Sequence, residues 1–287
     1  MVKLKYFFQF IIIIFFFSLF KLLGLKISRI VSGFIFSIIG PIFRSNKIAD
    51  QNLQIAIPNL DQIKRKFIIK NMWINYGKIF SEYMFIKKFR SSEKFSKKVE
   101  IKNLEIINDI INQNEPVIFI SGHFSNFELM AMQLEKIGVD LAVIYRPLNN
   151  IFLNPIMEKI RKKYICKIQV KKGISGTKEL LKLYKDKKSI ALMIDQRVSE
   201  GIKIKLFNND AFTTTIPAQF FRKFSTKIVP IYIERMPNDV FVMKIIQPIK
   251  FNKNDSIEFI TLKLNEVLEK MILKNPDQWI WTHNRWK

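Results

Sequence analysis

Four short apolar runs between residues 116 and 233 constrain the fold more than any other feature of this chain. They are Pro116–Ser121 (PVIFIS), Leu141–Tyr145, Ser189–Ile194 and Ile228–Ile233, each bounded by turn residues. Continuous apolar runs of this length have the character of strands buried on both faces. Between them, helical spacing predicts helices over Asn126–Ile137, stopped by Gly138, over Leu153–Tyr164 and over Ser175–Lys185. A further strand, Val240–Ile246, and a helix, Ile257–Leu273, close the pattern. Strands alternating with helices predict an α/β fold with a mixed, largely parallel sheet flanked by helices. Upstream, residues 61–88 carry apolar positions at helical spacing with basic residues between them. The sequence has no internal repeat, Walker A motif, GxSxG elbow or HExxH motif.

The amino-terminal segment is of another kind. Residues 1–49 contain no Asp or Glu, and Tyr6–Phe20 is uncharged, with Lys3 and Lys5 before it and Lys21 after it. Fifteen helical residues cover roughly 22 Å, short of a hydrocarbon core of about 30 Å. Extension to Leu25, with Lys21 snorkelling, brings the span to roughly 20 residues. A second apolar stretch, Ile30–Phe43, follows Lys26 and Arg29, and Gly40-Pro41 is expected to break it. No small-residue cleavage site follows the first run, which argues against a removed signal peptide. A spanning helix, a helical hairpin and an interfacial anchor all fit. The expected division is a membrane anchor over residues 1–43 and one globular domain over 44–287.

Charge speaks to partners. Forty-eight Lys and Arg stand against 24 Asp and Glu, a net charge of +24. Such a surface attracts polyanions: nucleic acid, an anionic membrane, an acidic carrier protein or a phosphorylated ligand. Part of the excess follows from a general bias toward Ile, Lys, Asn and Phe. Nucleic-acid binding is disfavoured, because no helix-turn-helix, RNP or zinc-finger pattern occurs and the amino-terminal tract is apolar. The single cysteine, Cys166, excludes a disulfide framework and a multi-Cys zinc site.

Chemistry concentrates in SGHFSNFELMAM, Ser121–Met132, where a buried strand gives way to a turn and then a helix. Open α/β sheets place ligand sites at the carboxyl ends of their strands. His123 and Glu128 lie five residues apart, so a carboxylate in the first helical turn can reach back to an imidazole in the turn before it. In that reading Glu128 orients His123, and His123 takes a proton from an attacking hydroxyl. The competing reading makes Ser125-x-x-Glu128 a capping box and His123 a turn residue satisfied by the backbone.

HFSNFE resembles the H-x4-D/E box of membrane acyltransferases, in the aromatic-rich form of the lipid A lauroyl/myristoyl acyltransferase family. The resemblance continues in order with Tyr145-Arg146-Pro147-Leu148-Asn149-Asn150, with Asp195-Gln196-Arg197 after a buried strand, and with Pro230-Ile231-Tyr232-x-x-Arg235. It ends in Trp281-x-His283-x-Arg285-Trp286-Lys287 and so covers nearly the whole chain. Phe207-Asn208-Asn209 departs from an aromatic-Gly pair common in the family, although Asn tolerates a left-handed turn.

The resemblance implies a glycerolipid-acyltransferase-like fold with an amino-terminal apolar anchor. It also implies transfer of an acyl group from an acyl-carrier-protein thioester to a hydroxyl of a lipid A precursor, in lipopolysaccharide biosynthesis. His123 would be the general base and Glu128 its orienting partner. Arg146 would meet the substrate near the thioester or a phosphate, Asp195 and Gln196 would shape the opposite wall, and Arg197 and Arg235 would contact anions. His283, flanked by tryptophans, is more in keeping with packing or an interface. No metal or cofactor is implied. Partners would be the carrier protein, an anionic glycolipid and the membrane, with the site facing the cytoplasm at the bacterial inner membrane. The alternatives are the same chemistry on a glycerolipid, ornithine lipid or glycolipid, and a non-catalytic basic membrane or nucleic-acid-binding protein.

Overall fold

A computed structural model describes residues 2–287. In chain order, α1 spans Val2–Phe43, α2 Asn46–Ala56 and α3 Gln62–Glu82; a 3-10 turn, Tyr83–Phe85, then leads into α4, Ile86–Ser91, and α5, Glu93–Ser96. The α/β part begins with β1 (Val99–Lys102), α6 (Leu104–Gln113), β2 (Ile118–Ser121), α7 (Glu128–Ile137) and β3 (Leu141–Tyr145). It continues through α8 (Asn154–Tyr164), β4 (Ile168–Lys171), α9 (Ile174–Lys185) and β5 (Ser189–Met193) to the hairpin of β6 (Ile202–Leu206) and β7 (Asn209–Thr213). α10 (Ile216–Phe224), β8 (Ile228–Arg235), β9 (Phe241–Ile245) and α11 (Ile257–Lys274) follow, with a 3-10 turn at Pro276–Gln278.

The main sheet has seven strands in the order β1-β9-β8-β2-β5-β3-β4. β8, β2, β5, β3 and β4 are mutually parallel, whereas β9 runs antiparallel to β8 and carries β1 parallel to itself. This is the mixed, largely parallel sheet that the alternating runs predict. The four residues of β2 are all buried, as are the eight of β8, which explains why their sequence shows no polar alternation.

α1 is two arms joined at Gly24, whose φ of 75° and ψ of 166° leave the helical region. That backbone is open to glycine at little cost. The helix runs on through Pro41 to Phe43, so the expected break at Gly40-Pro41 does not occur there. Pro41 forfeits one hydrogen bond, while Gly40 lies so close to Trp73 that a β-carbon would fall 2.3 Å from its ring. Packing against α3 therefore holds the last turn. Gly77 makes the same kind of approach to the carbonyl of Ser32, and Ser32 Oγ donates to the Gly77 carbonyl at 2.6 Å.

The arm after Gly24 thus belongs to the core of the protein. Arg29 on this arm is buried, and its Nε donates to Glu82 Oε1 at 2.6 Å. Glu82, fully enclosed, also accepts from Arg235 Nη1 at 2.5 Å and from Asn126 Nδ2 at 2.8 Å. The outer surfaces of both arms differ in character. Phe7, Phe8, Ile11, Ile12 and Phe15 on the first, with Ile30, Phe34, Ile38 and Ile42 on the second, are exposed. An apolar surface of this extent fits an anchoring segment.

Candidate active site

Strand register builds the centre of the site. β2 pairs with β5 so that Ser121 lies beside Met193. Two residues beyond each partner stand His123 and Asp195, at the carboxyl end of the parallel sheet. His123 Nδ1 lies 2.8 Å from Asp195 Oδ1, and the His123 backbone amide donates to Asp195 Oδ2 at 2.8 Å. Trp279 Nε1 donates to the same oxygen at 2.9 Å. Asp195 is therefore bonded by three donors, and its side chain is completely enclosed. Burial alone would raise its pKa; the charge of His123 and these hydrogen bonds outweigh that and hold it at about 2. For His123, burial pushes the pKa down, but the charge and hydrogen bond of Asp195, aided by Glu128, leave it above the usual histidine value. With Nδ1 committed to a carboxylate, Nε2 is the nitrogen left for chemistry; among the described residues it has no hydrogen-bond partner, and His123 lines the adjoining cavity.

Asp195 thus stands against His123, not on the wall opposite it, and takes the hydrogen bond that the sequence assigned to Glu128. Glu128 begins α7, where its Oε1 accepts from Arg161 Nε at 2.8 Å, from Arg161 Nη2 at 2.7 Å and from the Tyr83 hydroxyl. These donors turn the carboxylate away from a bond with the imidazole, although its charge still reaches it. No capping box forms. Ser125 has a positive φ of 44°, its Oγ is buried without a partner among the described residues, and Phe127 precedes the helix with no side-chain cap.

His123 and Glu128 face a cavity of about 620 Å³, within the usual range for small-molecule sites. Its depth is apolar, lined by Phe119, Ala131, Leu134, Val143, Ile165 and Met193 between α7 and the sheet. Arg44, Arg146 and Lys172 are exposed at its edge. Gln196 also lines it, with Nε2 3.5 Å from His123 Nδ1. The other two arginines expected at the site, Arg197 and Arg235, lie elsewhere. The Arg197 guanidinium stacks over the ring of Phe212 at 5.3 Å, and Arg235 is committed to Glu82 and sits over Phe241 at 4.5 Å. Neither lines this cavity.

Tyr83, Arg161 and Trp279 escaped the sequence reading. Tyr83 and Arg161 fall within helical runs whose spacing says nothing of the distant carboxylate they meet. Trp279 sits two residues before the terminal block and differs in no local way from a core tryptophan.

With this geometry in view, the chain's likenesses become informative. Residues 1–287 match the model of a family described as bacterial lipid A biosynthesis acyltransferase. A lipid A biosynthesis lauroyltransferase of Escherichia coli K12 is 24% identical over 252 residues, covering 85% of this chain and 79% of that protein. A lipid A biosynthesis acyltransferase of Haemophilus influenzae is 22% identical over 262 residues, covering 89% and 81%. A shorter match, 28% over 122 residues, is to lipid A biosynthesis acyltransferase 2 of Shigella flexneri, covering 42% and 38%. A match that runs from the first residue to the last, over a histidine–carboxylate pair and a deep apolar cavity, shows that the chain is an acyltransferase belonging to the bacterial lipid A biosynthesis acyltransferase family.

Proposed function

We propose that this acyltransferase moves a fatty acyl group from an acyl-carrier-protein thioester to a hydroxyl of a lipid A precursor, at the cytoplasmic face of the inner membrane. The observation that carries the proposal is the open Nε2 of His123 at the head of an apolar cavity. The alkyl chain enters the apolar depth, and the thioester carbonyl stays near the imidazole. His123 Nε2 takes the proton of the acceptor hydroxyl as its oxygen bonds to the carbonyl carbon. The carbonyl π pair moves onto oxygen, then returns as the carbon–sulfur bond breaks. The imidazolium gives its proton to the departing thiolate.

Asp195 fixes the tautomer and stabilises the transient imidazolium, and Glu128 adds negative charge nearby. Arg44, Arg146 and Lys172 offer cations to a phosphorylated headgroup or an acidic carrier. The apolar outer face of α1, flanked by Lys3, Lys5, Lys21 and Lys26, supports attachment to an anionic membrane.

The test supplies the full chain with carrier-protein thioesters and extracted lipid A precursor and identifies the product by mass spectrometry. His123→Ala is expected to lower transfer about 10²–10⁴-fold while membrane association persists. No acylated precursor with the wild-type chain, or undiminished turnover in the variant, would overturn the proposal.

A further inference from the structure

A second imidazole stands at the same cavity without a task. His283, near the carboxyl terminus, lines it together with His123. Among the described residues its side chain makes no hydrogen bond: Nδ1 is enclosed without a partner, and Nε2 is left open. The backbone beneath it is fixed. The His283 carbonyl accepts from Asn52 Nδ2 at 2.7 Å and from the Arg285 amide at 2.8 Å. Arg285 is itself anchored to the Phe212 carbonyl and to Thr213 Oγ1, both at 2.7 Å. Asn52 Nδ2 also holds the Trp281 carbonyl at 2.8 Å, and Trp281 is completely buried. A leucine or methionine here would pack without the cost of about 1–3 kcal/mol carried by an unpaired buried polar atom. The rigid mounting and the unpaired ring together mark a group held ready for a partner that arrives with substrate.

We propose that His283 is a catalytic residue whose Nε2–H donates a hydrogen bond to the thioester carbonyl oxygen as that oxygen gains charge. This rests on the acyl transfer proposed above and extends it to the carbonyl oxygen. A fixed donor aimed at developing charge in a water-poor site is among the larger contributions an enzyme makes. His283 undergoes no net proton change: the π pair moves onto oxygen while the donor bond tightens, then returns as sulfur leaves with the proton from His123.

The surroundings suit a neutral donor. Burial first, then the charges of Arg285, His123 and Arg44, press the pKa of His283 down to about 4, against the opposing pull of Asp195. A neutral imidazole carries one N–H and polarises a carbonyl without being an acid at neutral pH, the logic of other enzymes that keep such a histidine uncharged. Arg161 is already held by Glu128 and Tyr83, and Arg44, Arg146 and Lys172 stand at the exposed edge of the cavity.

The experiment compares wild type, His123→Ala, His283→Ala and His283→Gln as full chains with lauroyl carrier-protein thioester and extracted lipid A precursor. His283→Ala is expected to lose about 10²–10³-fold in kcat, with KM for the thioester within about twofold. Its pH–rate limb should coincide with that of wild type, because the ring does not titrate there; His283→Gln, which restores an N–H, should recover part of the loss. Nitrogen-15 spectra of histidine-labelled protein should show His283 neutral from pH 8 to pH 5. Full kcat in His283→Ala with a lowered Tm would make the ring a packing element and overturn the proposal. A limb displaced by a unit or more, or a cationic His283 at pH 7, would overturn it too. Absence of transfer by wild type would remove the underlying function and this role together, whereas loss in His123→Ala alone would remove only the role of His283.

Discussion

Asp195→Asn separates the two carboxylates of this site. In the native protein both aspartate oxygens only accept: Oδ1 faces His123 Nδ1, and Oδ2 takes the His123 amide and Trp279 Nε1. An asparagine can keep its oxygen on the paired amide and indole donors only by turning its NH2 toward His123 Nδ1. The imidazole must then accept at Nδ1 and carry its proton on Nε2, where the base has to be empty. A wrong tautomer in an otherwise intact histidine–carboxylate pair costs on the order of 10⁴ in rate, which at 1.36 kcal/mol per decade is about 5 kcal/mol of barrier. We expect kcat to fall about 10³–10⁴-fold. The residual activity should also shift in pH. Asp195 raises the pKa of His123, so wild-type activity grows as the base deprotonates above the ordinary histidine value. Removing the charge moves that limb to lower pH. Glu128→Gln leaves the tautomer intact and should cost less. The assay is steady-state transfer from carrier-protein thioester across pH 5.5–9 for all three proteins. Were Asp195→Asn within tenfold of wild type while Glu128→Gln lost nearly everything, the orienting role would return to Glu128.

Two further perturbations probe the frame. Ala131→Phe fills the apolar depth beneath α7; relative kcat/KM for dodecanoyl over hexanoyl thioester should drop at least tenfold, since each excluded methylene is worth about 1–3 kcal/mol. An unchanged ratio would place the chain elsewhere. Glu82→Gln leaves Arg29 and Arg235 facing a neutral amide in a dry interior; urea denaturation should show a loss of about 3–5 kcal/mol, and a loss below 1 kcal/mol would contradict the buried-pair account.

Much of the architecture was legible because buried parallel strands announce themselves as unbroken apolar runs, and β2, β3, β5 and β8 all did, while β9 (FVMKI) showed through despite Lys244. β1 (VEIK), β4 (IQVK) and the β6–β7 hairpin carry lysines, glutamine and asparagine on partly exposed faces, so no such run marks them. His123 was legible from the strand-turn-helix pattern around it. Its bonded carboxylate was not, because the order of strands in a sheet is a long-range property: Asp195 lies 72 residues away and becomes a neighbour only when β5 docks beside β2. Glu128, five residues on, drew the assignment by proximity along the chain. Arg235 read as an anion contact because nothing local reveals Glu82, 153 residues earlier.

The equal offset of His123 and Asp195 beyond the Ser121–Met193 rung has a developmental meaning for the site. The paired strands set where both short turns begin, and the Ile194 amide, donating to the Ser121 carbonyl at 2.9 Å, carries the pairing one residue further. An insertion or deletion of one residue in either strand would turn every later side chain to the other face of the sheet. β2 and β5 must therefore change length together or not at all.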